Sequence, residues 1–223
     1  MNIATSNSKF ENALDSLLRA ALWPREESIS PQTLAKAVVL GGAIQGASMG
    51  AYAFLNGGSA AFIFISALKV PLFLGIGAAL MLPAFYVLYA LFGLGDEFGI
   101  ALRALIGGQA AFALILASLS PLTLLFYLSG ATYRGALGFN VALFALAAVA
   151  AQNTIRGRVK PLLERDARHA TLLSMGFGLW VFVAIQLGWN LRPFVGNPDA
   201  PAQFFRPDAF TNAYFALWRL LVG

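Results

Sequence analysis

Side chains able to do chemistry are sparse in this sequence and lie far from one another. Asp96–Glu97 and Glu164–Asp166 set carboxylates one and two residues apart in turn-like stretches, and neither spacing gives the opposed acid and base that proton-transfer chemistry needs. His169 is the single histidine, and cysteine is absent. A bis-histidine haem, a multi-histidine metal site, a thiolate nucleophile, cysteine-ligated zinc, an iron–sulfur cluster and a disulfide are therefore beyond what this chain supplies alone. No P-loop or H-E-x-x-H sequence occurs. The expectation is a non-enzymatic chain with no catalytic residue, no cofactor and no metal. A proton switch or a cofactor ligand is a role open to His169, and a plain interfacial residue is the alternative.

Two concentrations of residues remain that could bind something. Arg156, Arg158 and Lys160, continued by Arg165 and Arg168, are the most basic stretch. Such a cluster at a membrane boundary can hold anionic headgroups or an acidic partner, and it is also what insertion into a bilayer asks of a topogenic loop. Nucleic acid is not an expected partner, because no stacking platform or recognisable binding fold accompanies the charge. The second concentration begins at Trp189, Arg192 and Phe194, runs through Phe205 and Arg206, and ends with Tyr214 and Trp218. Rings interleaved with arginine and proline suit a cap over a membrane exit, a generic interfacial anchor, or a docking surface for another protein.

The elements that carry these residues follow from composition. The chain is 59% hydrophobic and 11% charged over 223 residues, against about a quarter charged in ordinary soluble domains. A hydrocarbon core of roughly 30 Å needs about 20 apolar helical residues, and five stretches meet that test: about 34–55, 70–92, 101–127, 136–155 and 170–191. The fold class is all-α, a polytopic membrane bundle of about five transmembrane helices. Gly42, Gly46 and Gly50 recur at four-residue intervals in the first span, a face on which another helix can approach closely. Residues 60–68, apolar but bounded by Lys69 and Pro71, read as an interfacial segment or half-helix. None of the span cores carries Asp, Glu, Lys or Arg away from its ends. Gln45, Gln109, Asn140, Gln152, Asn153, Gln186 and Asn190 are left to hydrogen-bond between helices or to line a path for a neutral solute.

Both flanks read as amphipathic. Ser8 and Glu11 match a capping box ahead of Phe10, Leu14, Leu17, Leu18 and Ala21 at helical spacing. Met1 to Ser8 is polar and lacks the features of a secretory signal, so the N-terminus is expected to be retained. After a proline-rich tether, Asp208 can cap a final helix bearing Phe210, Tyr214, Leu217, Trp218 and Leu221. The organisation is thus residues 1–33 as a cytoplasmic amphipathic segment, 34–192 as the five-helix bundle, and 193–223 as an extracytoplasmic tether and interfacial helix.

Orientation comes from lysine and arginine. Ten of the fifteen fall on the side of the N-terminus and five, Lys69, Arg134, Arg192, Arg206 and Arg219, on the other. The imbalance favours a cytoplasmic N-terminus and an outside C-terminus, in a bacterial inner membrane.

Lys69-Val70-Pro71 leading into an apolar helix, then Phe92-Gly93 and a short loop through Phe98 to Leu105 into a helix with Pro121, resembles the central helix pair of Yip1-type membrane domains. The ending Trp189-Asn190-Leu191-Arg192-Pro193-Phe194 through Phe205-Arg206-Pro207 is similar to uncharacterised bacterial multi-pass proteins of that pattern. The resemblance spans about Lys69 to Trp218 and implies membrane organisation or partner recruitment rather than catalysis. The expected function is that of a membrane interaction or scaffold protein, an accessory subunit of a larger complex, with lipids and other integral membrane proteins as partners. A small-solute or ion transporter is the alternative.

Overall fold

The computed structural model describes residues 30–206 and residue 213. The amphipathic segments expected over residues 8–22 and from Asp208 onward, with Tyr214 and Trp218, lie outside the described residues. Ser30 caps α1 (Pro31–Leu55): its hydroxyl accepts the Thr33 amide at 3.2 Å, and Pro31 occupies the first turn, where its missing N–H has no partner to lose. Asn56 ends the helix, and Gly57, at φ +83°, turns the chain. α2 (Ala61–Leu91) runs back, and a 3-10 turn (Gly95–Glu97) reverses it into α3 (Phe98–Leu128). Thr132 caps α4 (Tyr133–Arg158) through the Gly135 amide, and a short α5 (Lys160–Arg165) leads to α6 (Arg168–Leu191). Every regular element among the described residues is helical, and α1, α2, α3, α4 and α6 are long and apolar enough to cross a membrane.

The long helices alternate in direction. One end of the bundle, here the tail end, carries the α1–α2 and α3–α4 turns and the chain after α6. The other, the charged end, carries the α2–α3 turn, α5 and the start of α6. Residues 60–68 are neither an interfacial segment nor a half-helix: Ala61 onward is the first third of a continuous 31-residue α2. Pro71 does not break it, because proline deletes one backbone hydrogen bond and packed neighbours hold the rest of the ladder. Lys69 is thereby moved from a loop into the interior of a span, where the sequence reading had placed no ionisable group.

α1 packs along both α2 and α3, α4 lies against α3, and α6 lies against α2. A Cβ on Gly46 would sit 2.7 Å from the Ser66 carbonyl carbon and 2.9 Å from Ala67 Cα; one on Gly50 would sit 2.6 Å from the Phe62 carbonyl carbon; one on Gly42, 3.1 Å from the Pro71 nitrogen. α1 and α2 therefore meet backbone to backbone along this face, which gains dispersion contacts where lipid leaves no hydrophobic drive between helices. Outward, Leu40, Leu80, Leu125, Val141, Val149 and Phe182 are more than two-fifths exposed. A surface so apolar on all sides suits hydrocarbon and would be an aggregation hazard in water.

Candidate functional site

At the tail end the chain after α6 folds back onto the bundle. Ser66 Oγ donates to Phe194 O at 2.6 Å, Lys69 Nζ to Pro193 O at 3.0 Å, and Tyr133 OH to Val195 O at a long 3.5 Å. Phe194 meets Phe73 edge-on with centroids 5.9 Å apart, and Gly196 lies against Phe62 and Ala53, where a side chain would collide. Lys69 is fully buried, roughly 12 Å along α2 from Ala61 at 1.5 Å per residue. Its ammonium sits 5.0 Å from the centre of the Phe204 ring, and no carboxylate pairs with it among the described residues. Arg192 lies over Trp189, 3.3 Å from the ring centre. Arg206 is half-buried, with Nη2 3.5 Å from Tyr133 OH, while Asp199, Gln203 and Phe205 are exposed. Phe194 and Arg192 are thus spent largely inside the chain's own cap, and Phe205 is on its outer side.

In the tail-end half of the bundle a polar cluster joins three helices. Gln45 Nε2 on α1 donates to Thr123 Oγ1 on α3 at 3.3 Å and to Asn140 Oδ1 on α4 at 3.2 Å. Asn140 Nδ2 donates in turn to Tyr127 OH at 2.6 Å and to Ala136 O at 2.8 Å. Gln45 is completely buried, and its Oε1 has no hydrogen-bond partner. The cluster ties α1, α3 and α4 together by interhelical hydrogen bonds.

At the charged end the basic stretch is split between solvent and protein. Arg156, Lys160 and Arg165 are exposed, with Lys160 3.8 Å from Glu164. Arg158 is half-buried, its guanidinium filling the space that Gly107 leaves open. Arg168 bonds Asp166 Oδ2 at 2.6 Å and donates to Phe92 O at 2.7 Å, tying α6 to the end of α2. The Arg168 side-chain and backbone donors hold the Asp166 carboxyl below its ordinary value. His169, in the first turn of α6, is fully buried, with Nε2 2.5 Å from Glu97 Oε2 and its ring 5.8 Å from that of Tyr89. The sequence reading missed this pair. Alternating helix direction puts the α2–α3 turn and the start of α6 at one end, and that was the available signal.

Between α2 and α6 on one side and α3 and α4 on the other lies a cleft. Met81 and Phe85, Gln109, Gln152, and Phe177 and Trp180 represent the four walls. It encloses about 700 Å³ counting its open mouth, of which about 80 Å³ is open to the centre of a water-sized molecule. Apart from the two amides its walls are almost wholly apolar, and Gln109 Oε1 is buried without a hydrogen-bond partner. Gly108 keeps α3 close to α4 here: a Cβ would fall 2.5 Å from Ile155 Cδ1.

The chain matches no family model, no curated protein and no solved structure.

Proposed function

We propose that the protein is a non-enzymatic membrane interaction protein, an accessory subunit that sits in a bacterial inner membrane with its charged end cytoplasmic and offers its tail-end cap to another integral membrane protein. The observation that carries this reading is the cap itself. Residues 192–206 have no regular secondary structure, yet Pro193, Val195 and Gly196 are buried, and the carbonyls of Pro193, Phe194 and Val195 accept hydrogen bonds from three bundle side chains. A segment fixed in this way loses little entropy on docking, and it presents Asp199, Gln203 and Phe205 outward. The resemblance of Lys69 to Trp218 to Yip1-type and related bacterial membrane proteins supports the same reading. With Lys69 buried in the bundle rather than in a loop, the positive-charge asymmetry that favours a cytoplasmic charged end grows to ten against four, counted from the fifteen lysines and arginines less Lys69.

The test is a photo-crosslinking residue at Gln203 in native membranes, with the same residue at lipid-facing Val141 as reference. The expected result is a discrete adduct to a membrane protein at 203 and lipid adducts at 141. Lipid adducts at both positions would sink the reading. A carrier for a neutral solute is the second reading, favoured by Gln109 and Gln152 in the cleft; solute movement by the purified chain in proteoliposomes would put it first.

A further inference from the structure

We propose that the cleft between α2, α3, α4 and α6 is a binding site for a neutral lipid whose polar group is a hydroxyl, the chemistry shared by long-chain prenols and diacylglycerols. The proposal is independent of the cap and of any protein partner.

Three features of the cleft select that occupant. The first is depth. Gln109 stands eleven residues into α3, roughly 17 Å from its start at 1.5 Å per residue, so it lies well within a hydrocarbon layer about 30 Å thick. A charged head would have to leave the interface to reach it and give up its hydration. No cation or carboxylate lines the cleft to receive one, so the ligand's head is neutral and small. The second is hydrogen-bond chemistry. Gln109 Oε1 is an acceptor buried with no donor, a state that costs free energy in a low-dielectric site. A hydroxyl supplies the missing donor, whereas an ether or an ester offers acceptors alone. The third is shape and access. α6 packs on α2, and the cleft lies, partly open, between that pair and the α3–α4 pair of apolar spans. An apolar chain enters such a cleft sideways from the bilayer. Phe112, Phe177 and Trp180 give it flat apolar walls against which such a chain can lie.

The experiment uses the full chain in phosphatidylcholine nanodiscs with diazirine-bearing farnesol and diazirine-bearing dioleoylglycerol, and maps the adducts by mass spectrometry. Adducts should concentrate at residues 105–112, 148–155 and 173–180. The unlabelled alcohol should compete about three- to tenfold better than its methyl ether, the range expected for one net hydrogen bond. Gln109→Leu should abolish that preference while keeping the chain folded. Ala148→Phe, which fills the cleft from α4, should abolish cleft labelling, and it carries the test if the leucine variant does not fold. Competition by farnesol alone or by the glyceride alone supports the site and names its source. Adducts spread evenly onto Leu125 and Val141, equal competition by the ether, equal labelling by a photoactivatable phosphatidylglycerol, or undiminished labelling in Ala148→Phe would each overturn the proposal.

Discussion

Replacing Lys69 by methionine separates what holds the cap from what holds the bundle. The substitution keeps the apolar stem and removes the ammonium. It deletes a 3.0 Å charge-assisted bond to Pro193 O and a cation–ring contact with Phe204. Hydrogen bonds to charged groups contribute about 1.5–3 kcal/mol, and a shielded cation–ring contact about 0.5–2 kcal/mol. Against this stands the desolvation of an ammonium with no carboxylate beside it, which costs several kcal/mol and disappears in the variant. The global balance is therefore close to neutral or favourable, and the thermal midpoint of the bundle should hold or rise. The cap fares differently, because Pro193 O loses its donor and nothing local replaces it. Opening of residues 193–206 should become easier by about 1.5–3 kcal/mol, an increase of about 10- to 150-fold in amide exchange. Hydrogen exchange of that segment in nanodiscs, read beside thermal unfolding, checks both halves. Exchange within about twofold of the parent, a factor worth well under 1 kcal/mol, would refute the assignment of Lys69 as the residue that holds the cap.

Gly46→Leu should force α1 away from Ser66 and Ala67 and lower stability by at least the 1–3 kcal/mol typical of overpacking, roughly. Gly75→Leu, with nothing within 4 Å of its would-be side chain, should leave the thermal midpoint unchanged, and equal midpoints for the two variants would remove the α1–α2 contact from the account. Gln45→Leu leaves Asn140 Oδ1 without its donor and should cost about 1–3 kcal/mol. The double variant with Asn140→Leu should cost less than the sum of the singles in equilibrium unfolding, and strict additivity would argue against the bond. The Asp166 carboxyl is depressed in the folded chain, so the contribution of its bonds to Arg168 is complete above the ordinary aspartate value of about 3.9 and is lost as pH falls through the lower folded value. Exchange at residues 164–170 should rise in that acidic window, and a flat profile there would discard the bond as a determinant of the turn.

What could be read from the sequence divides along physical lines. Span number and helix direction depend on summed hydropathy and turn residues, both local, and the five spans emerge at nearly their observed places. The small-residue face of Gly42, Gly46 and Gly50 is legible for the same reason, since spacing alone defines it. The extent of α2 was not. Lys69 and Pro71 each read as boundaries when weighed singly, and the fact that the folded-back tail covers Lys69 is tertiary information. The division of the basic stretch follows the same rule: Arg158 differs from Arg156 through Gly107, which lies about 50 residues away in sequence and on another helix. Gln109 and Gln152 were visible as polar residues within spans, but the gap between two helix pairs that gives them a common cavity was not.

The bond from Gln45 to Asn140 also sets an order on biosynthesis. α1, α2 and α3 leave the ribosome before α4, and for that interval Thr123 is the side-chain partner within reach of the Gln45 amide. An underbonded amide in hydrocarbon favours contact with protein surfaces that offer hydrogen bonds over contact with plain lipid. The half-made chain thus carries a mark of incompleteness at the depth of Gln45, and arrival of the fourth span erases it.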